Sequence, residues 1–237
     1  VFLRKTATTR EQFGRNPNMP TPRTALVTGG AGGIGSAICK SLATAGANVI
    51  VADLNEANAK SIANEIHGAA IILDVASIDS VVNAIKSLPP IDILVNCAGW
   101  DEFKPFIETD EAFQHKVIEI NLAGPMRLTR AVLPGMVERN WGRIVNIASD
   151  AGRVGSSLEA IYSGAKGGLI AFTKTIAREA ARNGVTANSI CPGPTDTPML
   201  KVFTGEADEK VLSAMTRAVP MKRLGTPEDI GPLAAFL

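Results

Sequence analysis

Tyr162 and Lys166 stand four residues apart in the run Ile161-Tyr-Ser-Gly-Ala-Lys. On a helix that spacing puts both side chains on one face, one turn apart. A phenol has a reference pKa of about 10 and is a poor base at neutral pH. A nearby ammonium favours the phenolate and lowers that value. Reaching neutrality takes about 3 units, or roughly 4 kcal/mol. One lysine supplies part of that, and a cationic cofactor would supply more. Ser149 would come from a different element and donate a hydrogen bond to the same substrate oxygen. The set suits removal of a proton from an alcohol while a hydride leaves its carbon. Taken alone, Tyr-x-x-x-Lys describes a surface helix equally well, so the surrounding chain has to decide.

Strands and helices alternate along that chain. Apolar runs at 24–27, 48–52, 69–73, 91–95, 143–148 and 185–190 read as strands. Helical patterns fall at 34–45, 56–66, 78–88, 110–139 and 161–182, with short helices near 207–217 and 227–237. The 110–139 stretch is expected to break or bend near Gly124-Pro125 and Pro134. Uninterrupted Val/Ile/Leu strands mark a parallel sheet covered on both faces. The expected fold is α/β, a single doubly wound Rossmann-type domain over residues 23–237. Residues 194–220 read as a substrate lid. Residues 1–22 read as a disordered or expression-derived leader, Met19 being a natural start. An organellar transit remnant is the alternative for this Arg/Thr-rich segment.

In such sheets ligands bind beyond the carboxyl ends of the strands. Gly29, Asp53, Asp74, Asn96, Ser149 and Pro192 all follow strand ends. The run Thr28-Gly-Gly-Ala-Gly-Gly-Ile-Gly joins the first strand to the first helix. Glycine turns tightly and admits a pyrophosphate, while the helix N-terminus offers free N–H groups. Gly30, Gly32 and Gly35 satisfy one dinucleotide spacing; Gly29, Gly33 and Gly35 satisfy another. A P-loop is disfavoured because Ser36 stands where lysine is needed. Asp53 lies 18 residues past Gly35. Its carboxylate would accept ribose hydroxyls and repel a 2′-phosphate, and Leu54 supplies no cation, so NAD is expected over NADP. Asp53 also reads as the cap of the next helix. Asp74, with Val75, meets the adenine or merely caps a helix.

The 237 residues, 46% hydrophobic and 20% charged, suffice for one large buried core. A net charge of +1 without a basic block argues against nucleic acid or an anionic membrane as main partner. No apolar run reaches a membrane span, which takes about 20 residues. Cys39, Cys97 and Cys191 form no Cys-x-x-Cys, which fits buried thiols in a reducing, cytoplasmic compartment. His67 and His115 show no metal-ligand spacing, so no metal is expected and both read as surface or helix-end residues.

Residues 28–35, Asn96-Cys-Ala-Gly99, Asn121, Ser149, Tyr162, Lys166 and residues 192–197 together resemble the short-chain dehydrogenase/reductase family, in its single-domain branch. The resemblance implies Tyr162 as acid/base. It implies that Lys166 lowers the pKa of Tyr162 and holds the nicotinamide ribose, and that Ser149 donates to the substrate oxygen. It implies that Asn121 holds a water linking Lys166 to solvent. Gly33, Ile34, Ala98 and Gly99 would line the cofactor site. Pro192, Gly193, Thr195 and Thr197 would hold the carboxamide. Cys97 departs from the family by replacing a second Asn. The chain also stops within what resembles the penultimate helix, so the last strand of such a fold is expected to be missing. A homo-oligomer, tetramer or dimer, is implied along the small residues of the helix from Ile161.

Residues 100–106, 152–161 and the lid form the expected substrate wall. Trp100, Phe103, Val154, Met199, Leu200 and Phe203 make it apolar. Glu102, Arg153, Glu159 and Lys201 are the polar candidates. Residues 99–106 and 149–157 are similar to family members that oxidise 2-hydroxycyclohexanecarboxyl-CoA, implying a small-molecule hydroxyacyl-CoA substrate. A 3-oxoacyl-thioester reductase using NADPH and a non-catalytic cofactor-sensing protein are the competing readings.

Overall fold

Each apolar run bounded by turn residues forms a strand, and the strands pair edge to edge in parallel. The computed structural model describes residues 22–203 and 209–237, with side chains outside 201–211. The leader at 1–21 and the middle of the lid fall outside the described residues. The strands are β1 (Thr24–Thr28), β2 (Asn48–Asp53), β3 (Ala69–Ile72), β4 (Ile93–Asn96), β5 (Gly142–Ile147) and β6 (Val185–Ile190). Their order is β3-β2-β1-β4-β5-β6. This is the doubly wound arrangement expected of alternating strands and helices.

The helices are α1 (Gly33–Thr44), α2 (Glu56–Glu65), α3 (Ile78–Ser87), α4 (Glu111–Ile118), α5 (Gly124–Glu138), α6 (Ala151–Val154), α7 (Ala160–Ala180), α8 (Pro198–Phe203), α9 (Glu209–Ala218) and α10 (Pro227–Phe236). One core packs α1, α2 and α10 on the sheet through residues such as Ile38, Leu42, Ala63 and Ile230. The other packs α3, α5 and α7 through Val81, Leu128, Met136 and Ala180. Asn55, Ser77 and Asp110 cap α2, α3 and α4 with their side chains. Each such cap contributes about 1 kcal/mol.

The helical stretch over 110–139 differs from expectation. Its irregularity is a π-helical turn at Glu119–Ala123, ahead of Gly124-Pro125. Pro125 is the second residue of α5 and follows that turn directly within one continuous helical run. Pro134 lies inside α5 without ending it. Helices α6 and α8 were not legible as periodic segments, being four and six residues long.

Strand register levels the carboxyl ends. Thr28 pairs with Asn96, and Asn96 with Asn146. The Asn96 amide donates to Asn146 Oδ1 at 2.7 Å, and the Asn146 amide to Thr173 Oγ1 at 2.8 Å. Thr173 Oγ1 donates in turn to Leu169 O at 2.7 Å. This buried chain ties β4 and β5 to α7. Asn146→Ala would strand the Asn96 donor away from water. It should lower unfolding stability by about 2–4 kcal/mol, measured as a lower urea midpoint at unchanged slope.

Candidate active site

The cleft opens where β1 turns into α1. Gly29 has φ +61, and a Cβ there would lie 2.8 Å from Ala98 Cα. A Cβ on Gly35 would lie 2.0 Å from Gly29 O. Only glycine permits this folding of loop onto helix. Helix α1 begins with no capping side chain and no acid in its first turn. Its free N–H groups and dipole therefore favour an anion. Gly29, Gly33, Ile34 and Gly35 line the cleft, whereas Gly30 packs beneath against Val51 and Cys39. All of Gly29, Gly33 and Gly35 line the cavity, and of the other spacing Gly32 and Gly35 do while Gly30 does not.

Asp53 ends β2, and its two oxygens accept the N–H groups of Ala31 and Asn55, each at 3.0 Å. It therefore braces the glycine loop; the cap of α2 is Asn55, not Asp53. Asp74 likewise is no helix cap. Its Oδ1 accepts Ala76 N at 2.9 Å, and Ser77 caps α3. Asp53, Leu54, Asp74 and Val75 line the same end of the cleft. These residues fit a dinucleotide: a Cβ-free cradle, uncapped helix N–H groups and a volume of about 700 Å³.

At the other end β5 delivers Ser149, and α7 delivers Tyr162 and Lys166. All three line the cleft. Lys166 is 3% exposed, and its Nζ donates to Ile147 O at 2.9 Å. The same Nζ lies 5.4 Å from the centre of the Tyr162 ring. Burial pulls the Lys166 ammonium down to about 8, with the Cys97 and Cys191 thiols acting the other way. Burial also pushes the Tyr162 phenol above its ordinary value. Glu159 adds to that push, and a hydrogen bond with the Ser149 side chain opposes it. Burial is the largest influence on the phenol within the chain itself.

Asn121 is fully buried in the π-helical turn and does not line the cleft. Its amide donates to Trp100 O at 2.6 Å and Val117 O at 2.9 Å, and its Oδ1 accepts Trp100 N at 3.4 Å. It fixes the segment that carries Trp100. Asn96 also lies beneath the lining, paired with Asn146. Ala98 and Gly99 do line the cleft. Thr28 Oγ1 accepts the N–H groups of Cys97 and Ala98 at 3.1 and 3.2 Å, which sets that turn. From the end of β6, Pro192, Gly193, Thr195 and Thr197 complete the lining.

Trp100, Phe103, Val154, Met199 and Leu200 form the apolar wall. Trp100 meets Phe113 edge-on at 5.6 Å, and Lys116 Nζ sits 3.5 Å over its ring. Arg153 is not part of the lining; its guanidinium turns to Asp150 at 3.5 Å. The side chains of Lys201 and Phe203 lie outside the described residues. Lys116 and Ile120 also line the cleft and were missed. Their spacing of four was the available signal. Cys39 is buried as expected, but Cys97 and Cys191 are only partly so. His67 and His115 are exposed. Among the described residues no cluster of three metal-ligating side chains forms, and no helix is long and apolar enough to cross a membrane.

Lys166→Met should lower turnover about 100-fold or more on substrates the wild type accepts. The stability readout has a definite sign. The folded value of about 8 lies below the ordinary 10.5, so the unfolded chain binds more protons in between. Wild-type stability should rise from pH about 8 to 10.5 on this account, and the variant should lose that rise in urea titrations.

A family model described as short chain dehydrogenase matches residues 23–207. The chain is 38% identical to an acetoacetyl-CoA reductase of Allochromatium vinosum, covering 91% of this chain and 90% of that one. It is 38% identical to a 3-oxoacyl-(acyl-carrier-protein) reductase of Vibrio cholerae, with 91% and 89% covered. A solved variant of actinorhodin polyketide ketoreductase with NADPH superposes with a TM-score of 0.83 at 34% identity, covering 92% of each chain. With this match along most of its length, the chain belongs to the short-chain dehydrogenase family, and it is an oxidoreductase.

Proposed function

We propose that the chain interconverts a secondary alcohol and a ketone, with Tyr162 as acid/base. The observation that carries this is the meeting of Tyr162, Ser149 and Lys166 in the cleft onto which the uncapped α1 opens. A nicotinamide cofactor bound there supplies or accepts the hydride. Ser149 hydrogen-bonds the substrate oxygen, and Tyr162 gives or takes its proton. Lys166, held by Ile147 O, places a positive charge beside the phenol. Asn121 acts through the Trp100 segment that it anchors. The carboxamide end is held by residues 192–197.

NAD is the proposed cofactor. Asp53 sits at the adenosine end with Leu54 beside it, and its carboxylate repels a 2′-phosphate. The proposed substrate is a hydroxyacyl thioester such as 2-hydroxycyclohexanecarboxyl-CoA. The apolar wall of Trp100, Phe103, Val154 and Met199 supports a cyclic or branched acyl group. A second reading, a 3-oxoacyl-thioester reductase using NADPH, is favoured by the relatives named above and by the NADPH in the actinorhodin structure. A homo-oligomer packed along α7 is proposed as well. Gly167 and Gly168 are explained within the chain by Gly152 and Leu122, but a Cβ on Gly164 would meet nothing within 4 Å. Free thiols support a cytoplasmic setting.

The deciding experiment is turnover of hydroxyacyl-CoAs, free hydroxy acids and simple alcohols, each with NAD and NADP. Equal or better rates on the free acids and alcohols would end the thioester proposal. Tyr162→Phe should abolish turnover while leaving cofactor affinity nearly intact by fluorescence titration. Asp53→Ala should weaken NAD and shift the NAD/NADP preference about tenfold or more toward NADP. An unchanged ratio would remove Asp53 from the cofactor site.

A further inference from the structure

Among the described residues two cations line the cleft, and the proposed chemistry uses one of them. Lys166 is buried and donates to Ile147 O. Lys116 is the other, an exposed side chain on α4. Among the described residues no carboxylate lies within ion-pair distance of it. Glu119, three residues on, is turned to Arg127 and His115. The Lys116 Nζ sits instead 3.5 Å over the Trp100 ring. An aromatic face attracts a cation without neutralising it, and it leaves N–H groups for an acceptor. The cleft wall therefore carries a positive charge that no acid of the wall offsets.

The ring beneath that charge is held without the lysine. The Asn121 amide donates to Trp100 O at 2.6 Å, and Phe113 meets the ring edge-on at 5.6 Å. Phe113 and Lys116 are three residues apart and share one face of α4. This wall stands at the reacting end. Gly99, the residue before Trp100, is so near Lys166 that a Cβ on it would lie 3.7 Å from Nζ. Trp100, Lys116, Ser149 and Tyr162 line the same cavity. The acids lining this end have partners of their own. Asp150 lies 3.5 Å from Arg153, and Glu159 accepts a hydrogen bond from the Ser156 side chain.

We propose that Lys116, seated on the Trp100 ring, is a specificity-determining residue that binds an anionic oxygen group of the substrate, a carboxylate or a phosphate. The proposal rests on the alcohol or ketone binding in this cleft. A free hydroxy acid would offer its carboxylate, and a hydroxyacyl-CoA would offer the phosphates of its carrier. Either gives charge-assisted hydrogen bonds to the ammonium. A neutral alcohol gains nothing from it.

The test uses two matched pairs. One is 2-hydroxycyclohexanecarboxylate against its methyl ester; the other is the CoA thioester of that acid against its pantetheine thioester. With reduced cofactor bound an alcohol cannot react, so calorimetric titration reads binding alone. In at least one pair the anionic member should bind about fivefold or more tighter than the neutral one. The pair that shows this identifies the anion as carboxylate or phosphate. Lys116→Gln should erase the preference, Lys116→Glu should reverse it, and Lys116→Arg should keep it. Neutral members should bind every variant alike. Salt at about 0.5 M should shrink the wild-type preference. No preference in either pair overturns the proposal, as does a preference that survives Lys116→Gln. Equal loss for both members of a pair also overturns it, by showing that Lys116 only supports the wall. Because no turnover is needed, failure of Tyr162 as acid/base shows separately, as wild-type turnover by Tyr162→Phe.

Discussion

An ammonium sealed from water and held by one carbonyl constrains most of this cleft. Lys166 must cross from α7 to the end of β5 to reach Ile147 O at 2.9 Å. Among the described residues no carboxylate accompanies it, so burial chiefly governs its charge, with the Cys97 and Cys191 thiols acting the other way. Where α6 packs on α7 a Cβ on Gly152 would lie 2.7 Å from Lys166 C and 2.9 Å from Lys166 Cβ, so only glycine fits beside the lysine. The Gly99 site is also crowded by Asn121 Oδ1 at 3.1 Å. The π-helical turn that brings Asn121 inward therefore belongs to the same arrangement. Such turns gather at functional sites because they redirect a side chain without ending the helix.

The two ends of the cleft share one edge because the strand ends are level. Thr28, Asn96 and Asn146 lie side by side in register. Thr28 uses its hydroxyl to shape the Cys97-Ala98 turn, while Asn96 and Asn146 use their amides to reach α7. Three polar side chains thus lie under the floor and fix the loops above it. Their burial makes each bond costly to lose, since water cannot replace a missing partner.

The parallel sheet, the glycine loop and the meeting of Ser149, Tyr162 and Lys166 were legible because each rests on local rules. Buried strands are apolar runs, a helix pairs residues four apart, and a tight turn needs glycine. What was not legible depends on packing between distant segments. Asn121 stands out in sequence only through the family resemblance, with a core hydrogen bond as the alternative; that it clasps the Trp100 backbone is seen only in the fold. Arg153 reads as a substrate contact, but a neighbouring Asp150 draws it away. The cap of α2 was misplaced by two residues because Asp53 and Asn55 are both good caps in sequence.

Two aspartates show how hydrogen-bond satisfaction separates a fixed charge from a responsive one. Asp53 has a backbone N–H on each oxygen, both from the loops it joins. Its position and its charge are parts of the turn. Asp101 has a bare oxygen and a buried setting, so its charge is costly and answers to whatever lies close by. Asp53 ends β2 and Asp101 lies in the loop after β4, both at the carboxyl edge of the sheet. The difference lies in which donors the backbone presents to them. At the glycine-loop end the main chain supplies the geometry and Asp53 is held by two backbone N–H groups.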